Sequence, residues 1–166
     1  MKDEKDSKNQ KDLASWFNSP ERIAGLVFHA QRWVGTPFLS NSCELGKGVS
    51  CQKLAGELYR RSGCCDFEVP AVAMAHAKFS VVSLVEAWMA KRPEFRRIEV
   101  IDLVLPEELV AGDLLGFRIG RCVHHMGVYL GEGAFVHCMD KIGTVLSQIS
   151  DGTWGPRLAV VWRPRP

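Results

Sequence analysis

The order of local patterns along this chain constrains its fold most strongly. Segments with apolar residues at helical spacing come first, and short segments rich in β-branched and aromatic residues, separated by glycines, follow in the second half. Helices followed by strands indicate an α+β fold, in which an antiparallel sheet packs against the helices. At 166 residues the chain is most simply one domain, predicted to span 13–166 after a charged, disordered tail at 1–12.

Serines mark the starts of three predicted helices. Ser19 is an N-cap candidate followed by Pro20, and Ser50 is the N-cap candidate of the second helix. Ser83 and Glu86 form a capping-box pattern at the start of the third helix. The three helices are predicted to end at Gly35, at Gly63 and before Pro93.

The predicted sheet is built from short segments in the second half of the chain. Each is rich in β-branched and aromatic residues and is bounded by glycine, which is typical of strands. The strand segments are 111–120, 124–131, 134–139 and 157–164, and segment 96–106 is predicted to be extended.

The composition argues against several classes of function. The net charge is +2 and no basic stripe carries interleaved aromatic residues, so nucleic acid is not the expected partner. No apolar run reaches membrane-spanning length. The first twelve residues lack the apolar core of a secretory signal, so we expect a cytoplasmic protein, or one delivered by a phage or by injection, whose six cysteines are reduced.

Cys51 has the local setting of a reactive cysteine. It falls in the first turn of the second predicted helix, just after a glycine-bearing loop. Unpaired N–H groups and the positive end of the helix dipole favour a thiolate at such a position. The alternative is a small apolar residue in the first turn, and local features alone leave both interpretations open.

The stretch HHMGVYLGEGAFVHC, residues 124–138, is predicted to form a hairpin whose loop sets the positions of two histidines. A two-residue Glu-Gly loop would place His137 on the face away from His125, because side chains alternate along a strand. A three-residue Gly-Glu-Gly loop would pair Leu130 with Ala134 and place both histidines on one face. We favour the second loop, since three-residue loops with a left-handed glycine are common.

In that register His137 lies opposite Gly127, and His125 is diagonal to it. The glycine would leave room for a substrate above it. Such an arrangement suits a base that is held by a second polar side chain. His124 is predicted to point to the opposite face.

A zinc site is the competing interpretation of these residues. Cys122, His125, His137 and Cys138 superficially resemble a set of zinc ligands. Because His137 and Cys138 are adjacent in a predicted strand, their side chains should diverge. We therefore expect no metal and no cofactor.

Four motifs in the chain share their order and spacing with a known family. They are AQRWVGTPF before a glycine-bearing loop, SCQKL at a helix start, VAGDLLGF before a strand, and HMGVYLGEGAFVHC in the hairpin. Together they resemble the NlpC-type family of papain-like cysteine peptidases over about residues 21–163. The resemblance implies that Cys51 is the nucleophile, His125 the general base and acid, and His137 the residue that orients His125. It also implies a papain-like fold, with the cysteine on helices that pack against the sheet.

The chain departs from this family at several positions. Where the family commonly has Asp before the cysteine and Ser-Gly after it, this chain has Ser50, Gln52 and Lys53. Phe38 stands where the family commonly has tyrosine, and it has no hydroxyl to offer. We predict that Phe38, Ser50 and Gly127 belong to a substrate cleft. The departures suggest a divergent member, such as a phage-associated or intracellular one.

The resemblance implies a cysteine hydrolase that cleaves an amide bond in peptidoglycan peptides through an acyl-enzyme. Two other functions stay open at this stage. One is a catalytically silent module that binds a wall peptide in the same cleft, and the other is an acyltransferase that uses the same thiol. The expected partner is a peptidoglycan-derived peptide, with neither nucleic acid binding nor membrane insertion.

Overall fold

The computed structural model of the chain describes residues 14–70, 72–73, 75–102 and 107–166. The predicted tail at 1–12 lies outside these residues. Within the described ranges, no helix combines the length and the apolar character that crossing a bilayer requires.

Each of the predicted N-cap serines begins a helix. The hydroxyl oxygens of Ser19, Ser50 and Ser83 each accept a hydrogen bond from the backbone N–H three residues later, which satisfies one of the free donors of the first turn. A further one-turn helix precedes the third serine. The helices are α1 (Pro20–Trp33), α2 (Cys51–Arg61), α3 (His76–Phe79) and α4 (Leu84–Met89).

Six antiparallel strands form the main sheet, and a short two-stranded hairpin leads into α2. The hairpin strands are β1 (Cys43–Glu44) and β2 (Gly48–Val49). The sheet strands are β3 (Phe95–Glu99), β4 (Leu114–Ile119), β5 (Cys122–Gly131), β6 (Ala134–Met139), β7 (Gly143–Gln148) and β8 (Leu158–Pro164). Their order across the sheet is β3-β8-β4-β5-β6-β7. The predicted α+β class is confirmed.

Two parts of the sheet differ from the sequence-based expectation. Strand β7, with the sequence GTVLSQ, was not among the predicted strands. It is an edge strand with one neighbour, so it can carry polar residues without the aromatic content typical of a central strand. In the predicted extended segment 96–106, strand geometry runs to Glu99, and a short 3₁₀ helix, Val100–Asp102, follows it. The rest of that segment, 103–106, lies outside the described residues.

Both faces of the sheet are covered by packed side chains. Buried residues on the face that α1 and α2 cover include Leu26, Leu58, Met126, Val136 and Trp162. Buried residues on the opposite face include Phe117, Phe135, Trp154, Leu158 and Val161. Strand β5 is therefore buried along most of its length on both sides, and its exposure does not alternate.

The Gly-Asp motif before β4 contains a buried ion pair that joins three elements. Arg163 on β8 donates two hydrogen bonds of 2.8 Å to the carboxylate of Asp113, Nε to Oδ1 and Nη2 to Oδ2. The same carboxylate accepts the backbone N–H of Val110 at 2.9 Å. The hydroxyl of Tyr59 on α2 donates to the carbonyl oxygen of Gly112 at 2.8 Å. These bonds tie α2 to the entrance of β4 and to β8.

We expect Asp113→Asn to lower the free energy of unfolding by about 3–5 kcal/mol, because the buried Arg163 guanidinium would lose its carboxylate. Urea denaturation followed by tryptophan fluorescence measures the change. Asp66→Asn, at an exposed position, is the matched control and should stay within about 0.5 kcal/mol of the parent. A loss at position 113 no larger than that of the control would show that the ion pair does not stabilise the fold.

Candidate active site

Cys51 occupies the first turn of α2, and hydrogen bonds hold this end of the helix against the sheet. The residue is 7% exposed. Next to it, Gln52 Nε2 donates to the backbone carbonyl of His124 on β5 at 3.5 Å. The Cys138 sulfur on β6 lies 3.2 Å from the carbonyl oxygen of Val49, the last residue of β2. The nucleophile candidate is thus fixed where α2 meets β5 and β6.

The hairpin of β5 and β6 has the predicted pairing of His137, but its loop differs from the predicted one. His137 pairs with Gly127 across the strands, in agreement with the prediction. The predicted pairing of Leu130 with Ala134 is wrong, because Gly131 pairs with Ala134 and leaves a two-residue loop. Both loop residues have positive φ, as a type I′ turn requires. A β-bulge at Leu130 absorbs the extra residue and restores the register.

The two histidines belong to a chain of hydrogen bonds that continues to a serine. His125 Nε2 lies 2.7 Å from His137 Nδ1, and His137 Nε2 lies 2.9 Å from Ser147 Oγ. When His125 Nε2 carries a proton, it donates a hydrogen bond to Nδ1 of His137. His137 then carries its own proton on Nε2 and donates a hydrogen bond to the serine hydroxyl. Ser147 was missed by sequence reasoning because it lies on β7, which carried no strand signal.

Trp154 covers the hydrogen bond between the two histidines. Its ring stacks on His125 with centroids 5.2 Å apart and meets His137 edge-on at 4.6 Å. Trp154 is itself 6% exposed. The indole shields part of the bond between the imidazoles, and a hydrogen bond that is partly removed from water is stronger than an exposed one.

Cys51 and His125 line one cavity, which has a volume of about 250 Å³. Phe38, which was predicted to belong to a substrate cleft, lines it too. His137 is fully buried and is not among the lining residues, so it reaches the cavity through its contact with His125. The other lining residues are Ile119, His124, Cys138, Met139, Asp140, Thr153, Trp154 and Arg157.

The other two predicted cleft residues lie outside the lining of this cavity. Ser50 is buried, and its hydroxyl caps α2. A Cβ at Gly127 would lie 2.7 Å from Cδ2 of Phe135 and 3.1 Å from the carbonyl oxygen of Val136. The space above Gly127 is therefore filled by Phe135, and the glycine permits close packing instead of leaving room for substrate.

His124 lies at an irregularity of strand β5. Arg118 pairs with Val123 and Phe117 pairs with His125, so His124 is the extra residue of a second bulge in β5. A bulge breaks the strict alternation of side chains. His124 and His125 both line the cavity, although their rings have different neighbours, His76 for His124 and Trp154 for His125.

Burial works against charge on both members of the Cys51–His125 pair. Desolvation raises the pKa of Cys51 to about 12, against the opposing effect of the Met126 backbone N–H. Desolvation, with a smaller contribution from His137 and then His124, lowers the pKa of His125 to about 3. Both shifts favour a neutral thiol and a neutral imidazole in the resting site, and they oppose the thiolate that the helix start favours.

The predicted alternative of a zinc site finds no assembled ligand set. Among the described residues, no three or more His, Cys, Asp or Glu side chains converge in a way that could hold a metal ion. Both ring nitrogens of His137 are engaged in hydrogen bonds, and the Cys138 sulfur faces the Val49 carbonyl. All six cysteines, each within the described ranges, are free.

A second cavity lies beside α2 but lacks the chemistry of the first. Its volume is about 220 Å³, and neither Cys51 nor any histidine lines it. Four of its charged side chains are paired with each other, Lys53 with Glu68 and Arg60 with Glu57. The cavity at Cys51 is therefore the candidate active site.

A cysteine at a helix start and a hydrogen-bonded pair of histidines on an antiparallel sheet define a papain-like arrangement. The sequence model of the NlpC/P60 family matches residues 35–163. The chain belongs to the NlpC/P60 family. The resemblance inferred from the motifs is confirmed.

Individual relatives agree with this assignment. Murein DD-endopeptidase MepS/Murein LD-carboxypeptidase from Escherichia coli (strain K12) is 32% identical over 66 residues, which are 40% of this chain and 35% of that protein. A lipoprotein-like NLP/P60 family structure from Staphylococcus aureus subsp. aureus Mu50 has a TM-score of 0.60 at 22% identity, over 89% of this chain and 43% of that one. The peptidoglycan hydrolase RipB from Mycobacterium tuberculosis has a TM-score of 0.53 at 17% identity, over 89% of this chain and 67% of that one. The solved structures share the papain-like fold.

We expect the alkylation rate of Cys51 to rise about tenfold per pH unit between about pH 6 and pH 9. A raised pKa leaves the thiolate fraction small throughout this range, and that fraction grows tenfold with each unit of pH. Brief iodoacetamide treatment followed by mass mapping gives the rate at each pH. In the urea-unfolded control, the rate should level off near the ordinary thiol pKa. A flat rate for folded Cys51 would reveal a preformed thiolate–imidazolium pair and contradict the neutral resting site.

Proposed function

We propose that the chain is a cysteine hydrolase that cleaves an amide bond in peptidoglycan-derived peptides through an acyl-enzyme on Cys51. The observation that carries the proposal is that Cys51 and His125 line one cavity while His125 is hydrogen-bonded to His137. A nucleophile beside a base that a third group orients is typical of nucleophilic catalysis. Membership of the NlpC/P60 family supports the substrate class, as do relatives named as a murein endopeptidase and a peptidoglycan hydrolase.

His125 is the proposed general base. Its Nε2 is engaged with His137, so Nδ1 is the nitrogen left to take the proton of the Cys51 thiol. Because both groups are neutral at rest, the proton moves to the imidazole as the sulfur attacks the amide carbonyl. His137 holds the ring in one orientation and one tautomer, and it stabilises the imidazolium as it forms.

The start of α2 supplies the donors for the oxyanion of the tetrahedral intermediate. The backbone N–H groups of the first helical turn have no partner within the helix, and that of Cys51 lies beside the reacting sulfur. When the C–N bond breaks, the leaving amine takes the proton from His125, and a thioester remains on Cys51. Water gives a proton to His125 and attacks the thioester, which releases the acid and restores the thiol.

We expect Cys51→Ala to abolish release of soluble peptides from purified peptidoglycan, measured by liquid chromatography with mass spectrometry, because no thioester can form. Cys43→Ala, which removes an exposed thiol, is the matched control and should retain activity. Release at the parent rate by the Cys51 variant would sink the proposal. Binding without cleavage by the parent would favour the wall-peptide module, and transfer of the acyl group to an added amine would favour the acyltransferase.

Variants of His137 distinguish an orienting residue from a structural one. His137→Ala should slow single-turnover acylation of Cys51 by about 100-fold, because the ring of His125 loses its fixed orientation. His137→Asn should stay within about tenfold of the parent, since an amide oxygen can accept the same hydrogen bond. His137→Gln tests whether the reach of the side chain matters. An alanine variant that acylates as fast as the parent would leave His137 without a part in the reaction.

A further inference from the structure

His124 is a buried polar side chain in the active-site cavity that has no hydrogen-bond partner. It is 5% exposed, and it lines the same cavity as Cys51 and His125. Within the part of the chain that the structure describes, neither its Nδ1 nor its Nε2 has a donor or acceptor in reach. Buried polar groups in native proteins are nearly always hydrogen-bonded, so this one requires a physical explanation.

The other polar side chains around the cavity are accounted for. His125 is bonded to His137. Asp140, Thr153 and Arg157 lie at exposed positions, where water solvates them. Because His124 lines the cavity, a molecule bound there can complete its hydrogen bonding once a small movement of the ring brings a nitrogen to the cavity surface.

The neighbours of His124 pack against the face of its ring and form no hydrogen bond with its nitrogens. The ring of His76 on α3 stacks against it, with centroids 6.4 Å apart and planes 23° from parallel. His76 does not serve as a partner through Nε2, since that nitrogen donates to the carbonyl oxygen of Val82 at 2.7 Å. The backbone of His124 is in turn anchored by Gln52, the residue after Cys51. The imidazole of His124 therefore lies close to the start of α2.

The charge state of His124 indicates which ligand atom it fits. Burial, and then the neighbouring His76, lower the pKa of His124, so the imidazole is neutral and offers one N–H donor and one acceptor. Much of the cavity wall is apolar, because Phe38, Met139 and Trp154 contribute to it. A peptide oxygen that enters loses its water and needs a donor there. A neutral N–H suits an uncharged carbonyl oxygen, whereas a carboxylate would call for a cation.

We propose that His124 is a substrate-binding residue whose ring N–H donates a hydrogen bond to a backbone carbonyl oxygen of the bound peptide. The inference rests on the proposed function for the identity of the ligand. The ring N–H of His124 would be a hydrogen-bond donor in the cavity, supplied by the residue that precedes the proposed general base.

Binding to an inactive background tests this contact without turnover. The probe is a soluble peptidoglycan stem peptide, titrated calorimetrically into the Cys51→Ala protein and into the same protein with His124→Phe. Phenylalanine keeps the ring and its stacking but removes both nitrogens. We expect His124→Phe to raise the Kd by about 10–100-fold, because a desolvated carbonyl of the peptide would lose its hydrogen-bond donor. His124→Asn or His124→Gln, whose amide nitrogens can stand near Nδ1 or Nε2, should recover part of the affinity.

His76→Phe in the Cys51→Ala protein is the matched control. It changes a residue outside the cavity lining and keeps a ring that can stack on His124, so this protein should bind the peptide as tightly as its Cys51→Ala parent. A His124→Phe protein that binds as tightly as its parent would overturn the inference. So would a His76→Phe protein that loses as much affinity, since packing would then be the cause. Absence of binding by the folded Cys51→Ala protein itself is a different result, and it would count against the proposed function.

Discussion

The pairing of Gly127 with His137 is the constraint on which the proposed site depends. It sets His125 diagonal to His137 on one face of the sheet, where their ring nitrogens lie 2.7 Å apart. A slip of one residue would turn His137 to the other face, because side chains alternate along a strand. The two-residue turn alone would give that slipped register. The bulge at Leu130 corrects it, so the turn and the bulge together determine the site.

Burial determines the chemistry that this geometry can support. Elsewhere in the fold, Asp113 and Arg163 form a buried ion pair whose partners are fixed by several hydrogen bonds. Cys51 and His125 are not paired with a fixed opposite charge, and desolvation moves the pKa of each in the direction that favours the neutral form. Charge should develop only when a substrate brings an amide carbonyl to the sulfur. Trp154 packs against both imidazoles, and His125 lines the cavity that a substrate would enter.

Local signals in the sequence were enough for the helix starts and for the candidate nucleophile. A capping serine acts within one turn, so Ser50 could place Cys51 at the start of α2 without knowledge of the rest of the fold. Strand alternation likewise brought His125 and His137 to one face, although the loop that achieves this was predicted incorrectly. The α+β class followed from the order of helical and strand patterns.

Features that depend on long-range pairing could not be predicted in this way. Ser147 lies on an edge strand whose polar sequence carries little strand signal. His124 enters the cavity through a bulge, and a bulge is defined by the partner strand, which the local sequence does not show. The role of Gly127 depends on Phe135, which fills the space above it.

The central claim is that Cys51 carries the acyl group of the substrate. The most direct measurement mixes the protein with peptidoglycan stem peptides under single-turnover conditions, quenches the reaction with acid and locates any adduct by intact mass and peptide mapping. We predict a transient adduct, with the mass of the acyl fragment, on the peptide that contains Cys51. Cleavage accompanied by an adduct on another cysteine, or cleavage by a protein that lacks the Cys51 thiol, would contradict that claim.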